Sequence, residues 1–192
     1  MDDIILVDDN DNQTGTGEKM AVHRQGLLHR AFSICLYNSR GDQLLQKRAA
    51  KKYHCPGLWS NACCSHPKPG EDLLDAAKRR LREEMGIDYC WGGRSEKVPQ
   101  YEFIYKIKVG DLIEYEYDHV LFGAFDGEPK INKEEADASK WIGRDELVED
   151  MRKNPGNYTP WFRLMMKAAW RGSDPKTLVP GLERFVEITK IG

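Results

Sequence analysis

The chain has no long apolar run. No stretch approaches the ~18 consecutive apolar residues that a membrane-spanning helix needs, so a membrane protein of the helical kind is not expected. It also lacks an excess of either charge sign. With 29 Lys and Arg against 31 Asp and Glu, the net charge is −2, and no global field recruits nucleic acid or an anionic membrane. Any anionic ligand must be held by local charges. The start, Met1-Asp2-Asp3-Ile4, lacks the basic n-region of a leader peptide. The five cysteines form no even, regularly spaced disulfide framework. Reduced thiols in a cytoplasmic protein are therefore expected. No internal repeat or low-complexity tract interrupts the pattern.

What is present suits one generous α/β domain, since 192 residues bury a core without disulfide or metal staples. Ile4 to Val7 reads as a short strand ended by the Asp8 to Asn12 turn cluster. Ala31 to Tyr37 and Gln43 to Arg48 flank Asn38-Ser39-Arg40-Gly41-Asp42, which is hairpin chemistry, so the two runs are predicted to pair antiparallel. Leu74, Ala77, Leu81 and Met85 form a helix stripe, and Gly86 stands where a C-cap belongs. Tyr101 to Val109 and Leu112 to Phe125 are the longest strand candidates. In the second, Glu114, Glu116 and Asp118 alternate with Ile113, Tyr115 and Tyr117, so the carboxylates share one face. Ala138 to Ile142 is a further strand, and Arg144 to Lys153 and Thr159 to Arg171 are helices. The second helix carries a stripe of Trp161, Leu164, Met165, Ala168 and Ala169. Residues 1–172 make the domain, and 173–192 a C-terminal extension holding a linker and a short helix.

Two segments carry chemistry. In Asn61-Ala62-Cys63-Cys64-Ser65-His66-Pro67, an extended backbone puts Cys64 and His66 on one face and Cys63 and Ser65 on the other. The helix that follows can be laid on the Nudix box, G-x5-E-x7-R-E-U-x-E-E-x-G-U. Glu71, Arg79, Leu81, Glu83, Glu84, Gly86 and Ile87 fall in register. Ser65 replaces the leading glycine. Arg80 replaces a glutamate that a Nudix hydrolase uses to hold Mg2+ and activate water. By pattern alone Arg80 and Glu84 also read as an ordinary i,i+4 helix pair.

The chain resembles one branch of that fold, the metal-dependent, flavin-free type I isopentenyl-diphosphate delta-isomerases. The likeness runs from Glu18 to Trp170, through Glu18-Lys19 with His23, Gly26 to Ser33, Pro56-Gly57-Leu58-Trp59, Asn61 to Pro67, Glu114-Tyr115-Glu116 and Pro160-Trp161. The resemblance implies a Nudix-like mixed sheet sandwiched between helices in a single domain. It implies Cys64 and Glu116 as acid/base groups and Tyr105 beside Glu116. A tightly bound Mn2+ or Zn2+ would sit on His23, His29, His66, Glu114 and Glu116, types suited to such ions. A substrate-borne Mg2+ would take Glu84 and the Cys64 carbonyl. Lys19, Arg48, Lys52 and Arg80 would hold the diphosphate, and Trp161 would face a carbocation. The substrate is then a small diphosphate, and the protein a monomer or homodimer.

Isomerising a homoallylic diphosphate to its allylic form adds a proton to one alkene carbon and removes one from a neighbour, a task for two acid/base groups on opposite faces. The residues alone leave rivals. Taken singly, Trp161 reads as a core residue on its stripe, and Lys51-Lys52 as a solvated pair. His54 and His119 match no position in the resemblance and are taken as structural, and Cys35 as core. A Nudix hydrolase of a nucleoside diphosphate derivative is the alternative enzyme, against which Arg80, Cys64 and His66 speak. A non-catalytic metal scaffold would need no thiol opposite a carboxylate.

Overall fold

Alternation along a long central strand organises the molecule. The computed structural model describes residues 3–91 and 100–169. Strand β1 (Asp3–Val7) pairs antiparallel with β2 (Gln13–Glu18), and α1 (Lys19–Gln25) follows at once. The Glu18 carboxylate caps α1 by accepting from the amides of Met20 and Ala21, and Gly26, at φ 63°, ends it. The central β3 (His29–Tyr37) is followed by β4 (Gln43–Arg48), the short β5 (Trp59–Asn61) and β6 (Cys63–Ser65), then α2 (Leu73–Met85). Beyond these come β7 (Gln100–Val109), β8 (Leu112–Ala124), β9 (Ala136–Ile142), α3 (Arg144–Lys153) and α4 (Pro160–Ala169).

β3 runs parallel to β8, from His29 opposite Glu116 to Tyr37 opposite Ala124. On its other side it pairs antiparallel with β6, Ser33 opposite Cys64. β8 pairs in turn with β7, Tyr105 opposite Glu116. The turn at Asn38 to Asp42 forms as expected, with Gly41 at φ 82° and its amide on the Asn38 carbonyl. The expected antiparallel pairing of β3 with β4 forms, but only at the end next to the turn. The two strands share only Tyr37 opposite Gln43, because β4 leaves to pair with β5 and β9 while both edges of β3 are taken by β6 and β8. The turn reverses the chain, and long-range pairing then chooses the partners.

The sheet's two faces make two cores. Phe32, Ile34, Leu36 and Cys63 pack under Ala77, Leu81 and Met85 of α2, the predicted stripe, although Leu74 is only half-buried and Ala76 takes its place in the core. Cys35, Phe103 and Val120 pack on the opposite face against Trp161, Leu164 and Met165 of α4. Helices thus cover both faces of a mixed sheet, the layered α/β arrangement that was expected. The side chains of Ala168 and Ala169, the remainder of the predicted helix to Arg171, and the linker and helix in 172–191 lie outside the described residues. Among the described residues no helix is long and apolar enough to cross a membrane.

α2 is bounded by Asp72, whose carboxylate accepts from the amides of Leu74 and Asp75, and by Gly86 at φ 63°. A Cβ on Gly86 would stand 2.6 Å from the Lys130 carbonyl oxygen. Gly86→Ala is therefore expected to lose more stability than the roughly 1–2 kcal/mol of left-handed backbone strain. Gly41→Ala, where a Cβ meets open space, should lose only that strain. Chemical denaturation of the two variants gives the comparison.

Candidate active site

The strand register gathers the site. His29 of β3 and Tyr105 of β7 are paired with Glu116 of β8, and Ser33 of β3 with Cys64 of β6; side chains of directly paired residues stand on the same face, which Asp118 shares with Glu116 by alternation. α1 brings His23 over this face, and the chain leaving β6 brings His66. Lys19, His23, Arg48, Lys52, Cys64, His66, Arg80, Glu84, Tyr105, Glu114, Glu116 and Trp161 line one pocket. His29 lies behind its wall, fully buried. Every site residue expected from the sequence is thus brought to one place.

Three imidazoles converge. Ring centres are 4.7 Å apart for His23 and His29, 5.0 Å for His29 and His66, and 5.4 Å for His23 and His66. His23 Nδ1 lies 2.7 Å from the Lys19 carbonyl and His29 Nδ1 2.9 Å from that of Leu27. Those carbonyls can only accept, so each Nδ1 carries a hydrogen, and in the neutral ring each Nε2 offers an inward lone pair to a cation, whereas in the protonated ring it donates to the carboxylate facing it. Both Nε2 atoms are buried and make no regular hydrogen bond. Around them stand Glu114 Oε2, 3.1 Å from His23 Nε2, and Glu116 Oε1, 3.6 Å from His29 Nε2 and 3.1 Å from His66 Nε2. One donor atom from each of His23, His29, His66 and Glu116 lies within 4.8 Å of the others. Inward lone pairs with buried carboxylates are the donor set of a divalent cation.

The three carboxylates on β8 are driven apart by their surroundings. Burial works to raise all three. At Glu116 the contacts with His29 and His66 outweigh it and hold the carboxyl well below its usual range. At Glu114 the contacts with His23 and His54 bring it down to about 2. Among the described residues, Asp118 has no such partner. Burial and the Glu116 charge push it well above the ordinary value, and the Ser33 hydroxyl donates to it at 2.8 Å. Burial also pushes His66 down to about 3, keeping its ring neutral.

The Tyr105 hydroxyl donates to Glu116 Oε2 at 2.5 Å. The Cys64 thiol, pushed up to about 12 by burial, donates to Asn61 Oδ1 at 2.8 Å. Asn61 is held in that orientation because its amide nitrogen donates to the carbonyls of Ile34 and Cys63, at 3.1 and 2.7 Å. Cys63 points into the α2 core, as alternation required.

A cationic rim stands beside these groups. Arg80 donates to Glu84 at 2.6 Å and to Glu135 at 3.3 Å, and Lys52 pairs with Glu135. Glu84 accepts from Gln46 at 2.9 Å. The Arg80–Glu84 pair is therefore an i,i+4 helix contact and part of the pocket wall at once. Lys19 is buried enough for its ammonium to be shifted down. Trp161, 5% exposed, packs in the α4 core and also lines the pocket. Its indole donates to Ser60 at 3.2 Å, and the Arg48 guanidinium lies 5.2 Å from its ring centre.

His119 sits apart from the pocket, near Asp11 and Glu102 at 3.0 and 3.3 Å, in keeping with a structural role. His54 does not. It lines the pocket, with Nε2 3.1 Å from Glu114 Oε1. Asn61, beside the thiol, and Glu135, between Lys52 and Arg80, were likewise not picked out as site residues. Asn61 lies inside the motif singled out in the sequence, three residues before the thiol, whereas His54 and Glu135 have no local signal, since each acts through a partner distant in sequence.

The NUDIX domain family model matches residues 27–162. The isopentenyl-diphosphate Delta-isomerase 2 of Aromatoleum aromaticum is 52% identical over 162 residues, 84% of this chain and 82% of that protein. The isopentenyl-diphosphate Delta-isomerase of Serratia proteamaculans is 48% identical over 165 residues, 85% and 89% of the two chains. Among solved structures, a Deinococcus radiodurans protein superposes with TM-score 0.63 at 17% identity, covering 88% of this chain and 99% of its own. A MutT NUDIX hydrolase from Burkholderia pseudomallei superposes with TM-score 0.56 at 20% identity, covering 73% and 96%. At those identities the structures speak for the fold alone.

His23→Ala, His29→Ala and His66→Ala should each lower the divalent metal content of the purified protein, with losses of about tenfold or more in affinity. Elemental analysis measures this, and His119→Ala, remote from the cluster, should keep its metal.

Proposed function

The chain belongs to the isopentenyl-diphosphate Delta-isomerase family on the NUDIX fold, and from that premise we propose that it interconverts isopentenyl and dimethylallyl diphosphate by proton addition and removal through a tertiary carbocation. The observation that carries this reading is a protonated thiol and a tyrosine-bonded carboxylate facing one pocket beside a cationic rim. The hydrolase alternative fits less well. Where a hydrolase holds a metal-binding glutamate, Arg80 ties down Glu84.

Cys64 and Glu116 are the acid/base pair. One delivers a proton to the terminal alkene carbon, and the other takes one from the carbon on the far side of the cationic centre, so the proton count balances. Burial keeps Cys64 protonated, while His29 and His66 keep Glu116 ionised. The Tyr105 hydroxyl, bonded to Glu116, passes or polarises that proton. Trp161 presents a π-face to the developing charge, and the same wall excludes water that would capture a cation. Lys19, Arg48, Lys52 and Arg80 grip the diphosphate by charge-assisted hydrogen bonds. His23, His29, His66, Glu114 and Glu116 would hold a Mn2+ or Zn2+ whose charge would orient Glu116, and Glu84 with the Cys64 carbonyl would hold a Mg2+ that would neutralise diphosphate charge.

Incubation with isopentenyl diphosphate should yield dimethylallyl diphosphate without release of inorganic phosphate; phosphate release in its place would support the hydrolase. Cys64→Ala should abolish nearly all of that product while leaving the fold and metal content intact, with Cys63→Ala as the comparison for a core thiol. Product formation by Cys64→Ala at the wild-type rate would exclude the thiol.

Replacing Trp161 by Phe and by Leu should lower kcat in that order, because the π-face acts on charge present only near the transition state. Affinity for a diphosphate bearing a tertiary ammonium at the cationic carbon should weaken in the same order. Equal ammonium affinity in the wild-type and Leu proteins would leave Trp161 a packing residue.

A further inference from the structure

We propose that His54 is a positioning residue for the metal ligand Glu114, holding the carboxylate oxygen that does not face the histidine cluster. The inference rests on the metal-site reading above and adds a residue to it. Glu114 is 2% exposed and turns its two oxygens to different imidazoles. Oε2 stands 3.1 Å from His23 Nε2, toward the cluster. Oε1 is buried and makes no regular hydrogen bond, with His54 Nε2 3.1 Å away. An ionised oxygen buried without a donor is costly, on the order of several kcal/mol. A slight turn of one imidazole supplies a donor.

The loop between β4 and β5 is built to put His54 there. Its ends are clamped by Arg48 N to the Leu58 carbonyl at 2.9 Å and Gly57 N to the Arg48 carbonyl at 3.0 Å. Arg48 Nε and Nη2 donate to the His54 carbonyl at 3.3 and 3.2 Å, fixing the backbone at that residue. Cys55 next to it adopts φ 47°, a left-handed bend that a non-glycine residue rarely takes. The His54 ring then leans on Trp161, centres 5.2 Å apart. One loop residue thereby joins the metal ligand to the wall that faces the substrate. Partners behind metal ligands set ligand orientation, and their loss typically costs about 10–100-fold in metal affinity.

The test compares donors of matched shape. His54→Gln keeps an N–H near the Nε2 position, His54→Met has similar length without a donor, and His54→Phe keeps a ring without one. The metal-loaded full-length proteins are mixed with excess chelator and the rate of metal release is followed. Release should be about 10–100-fold faster in His54→Met and His54→Phe and near the wild-type rate in His54→Gln. In a Glu114→Gln background, the change to Met or Phe should add little, because the effect passes through Glu114. Should either donor-less variant fail to fold, the other still gives the comparison with Gln. Wild-type release rates in the folded donor-less variants, or equal acceleration in Gln and Met, would overturn the role of His54 and leave the metal site standing. A wild-type protein that retains no divalent metal would overturn both.

Discussion

Two carboxylates are buried two residues apart on one strand, and most of the site is a response to them. Glu114 and Glu116 are 2% and 8% exposed, and ionised groups at such depth are tolerated only with hydrogen-bond donors or cations around them. Tyr105, His23, His29, His54 and His66 are drawn in from five separate segments to meet that demand. The parallel β3–β8 register, with His29 opposite Glu116, makes it possible. A one-residue slip would turn Glu114, Glu116 and Asp118 to the opposite face, where Tyr117 now packs on Ile5 and Val7.

The same carboxylates explain how a single strand supplies groups of different character. Glu116 is held ionised by imidazoles and a tyrosine, whereas Asp118, two residues on and without a cationic partner, is pushed the other way. Cys64 lies on the Asp118 side, in contact with Ser33, which bonds Asp118. The pocket thus runs from an ionised, cation-seeking end to a neutral, proton-holding end. Chemistry that adds a proton at one atom and removes one at another uses such a polarity.

Much of this was legible in the sequence where periodicity is long or motif spacing tight. The α2 stripe ending at Gly86, the two long strands β7 and β8, the bounds of α3 and the opposite facing of Cys63 and Cys64 all followed from local pattern. β2, written in Gln, Thr, Gly and Glu, has no apolar alternation, and α1 is seven residues long, too short for a helical period to declare itself. The antiparallel β3–β4 pairing was legible but its extent, a single residue pair, was not, because a turn specifies where the chain reverses, not which strands β3 meets afterward. His54 was passed over because nothing between Lys52 and Pro56 announces that a loop will fold back onto β8.

The central claim is that three imidazoles and the β8 carboxylates hold a divalent ion while Cys64 stays a free thiol nearby. X-ray absorption at the metal edge of the purified, metal-loaded protein tests it most directly. The account predicts only nitrogen and oxygen scatterers, near ~2.0–2.2 Å, with an imidazole signature. A sulfur scatterer near ~2.3 Å would make Cys64 a metal ligand, and that result would contradict its role as the proton carrier.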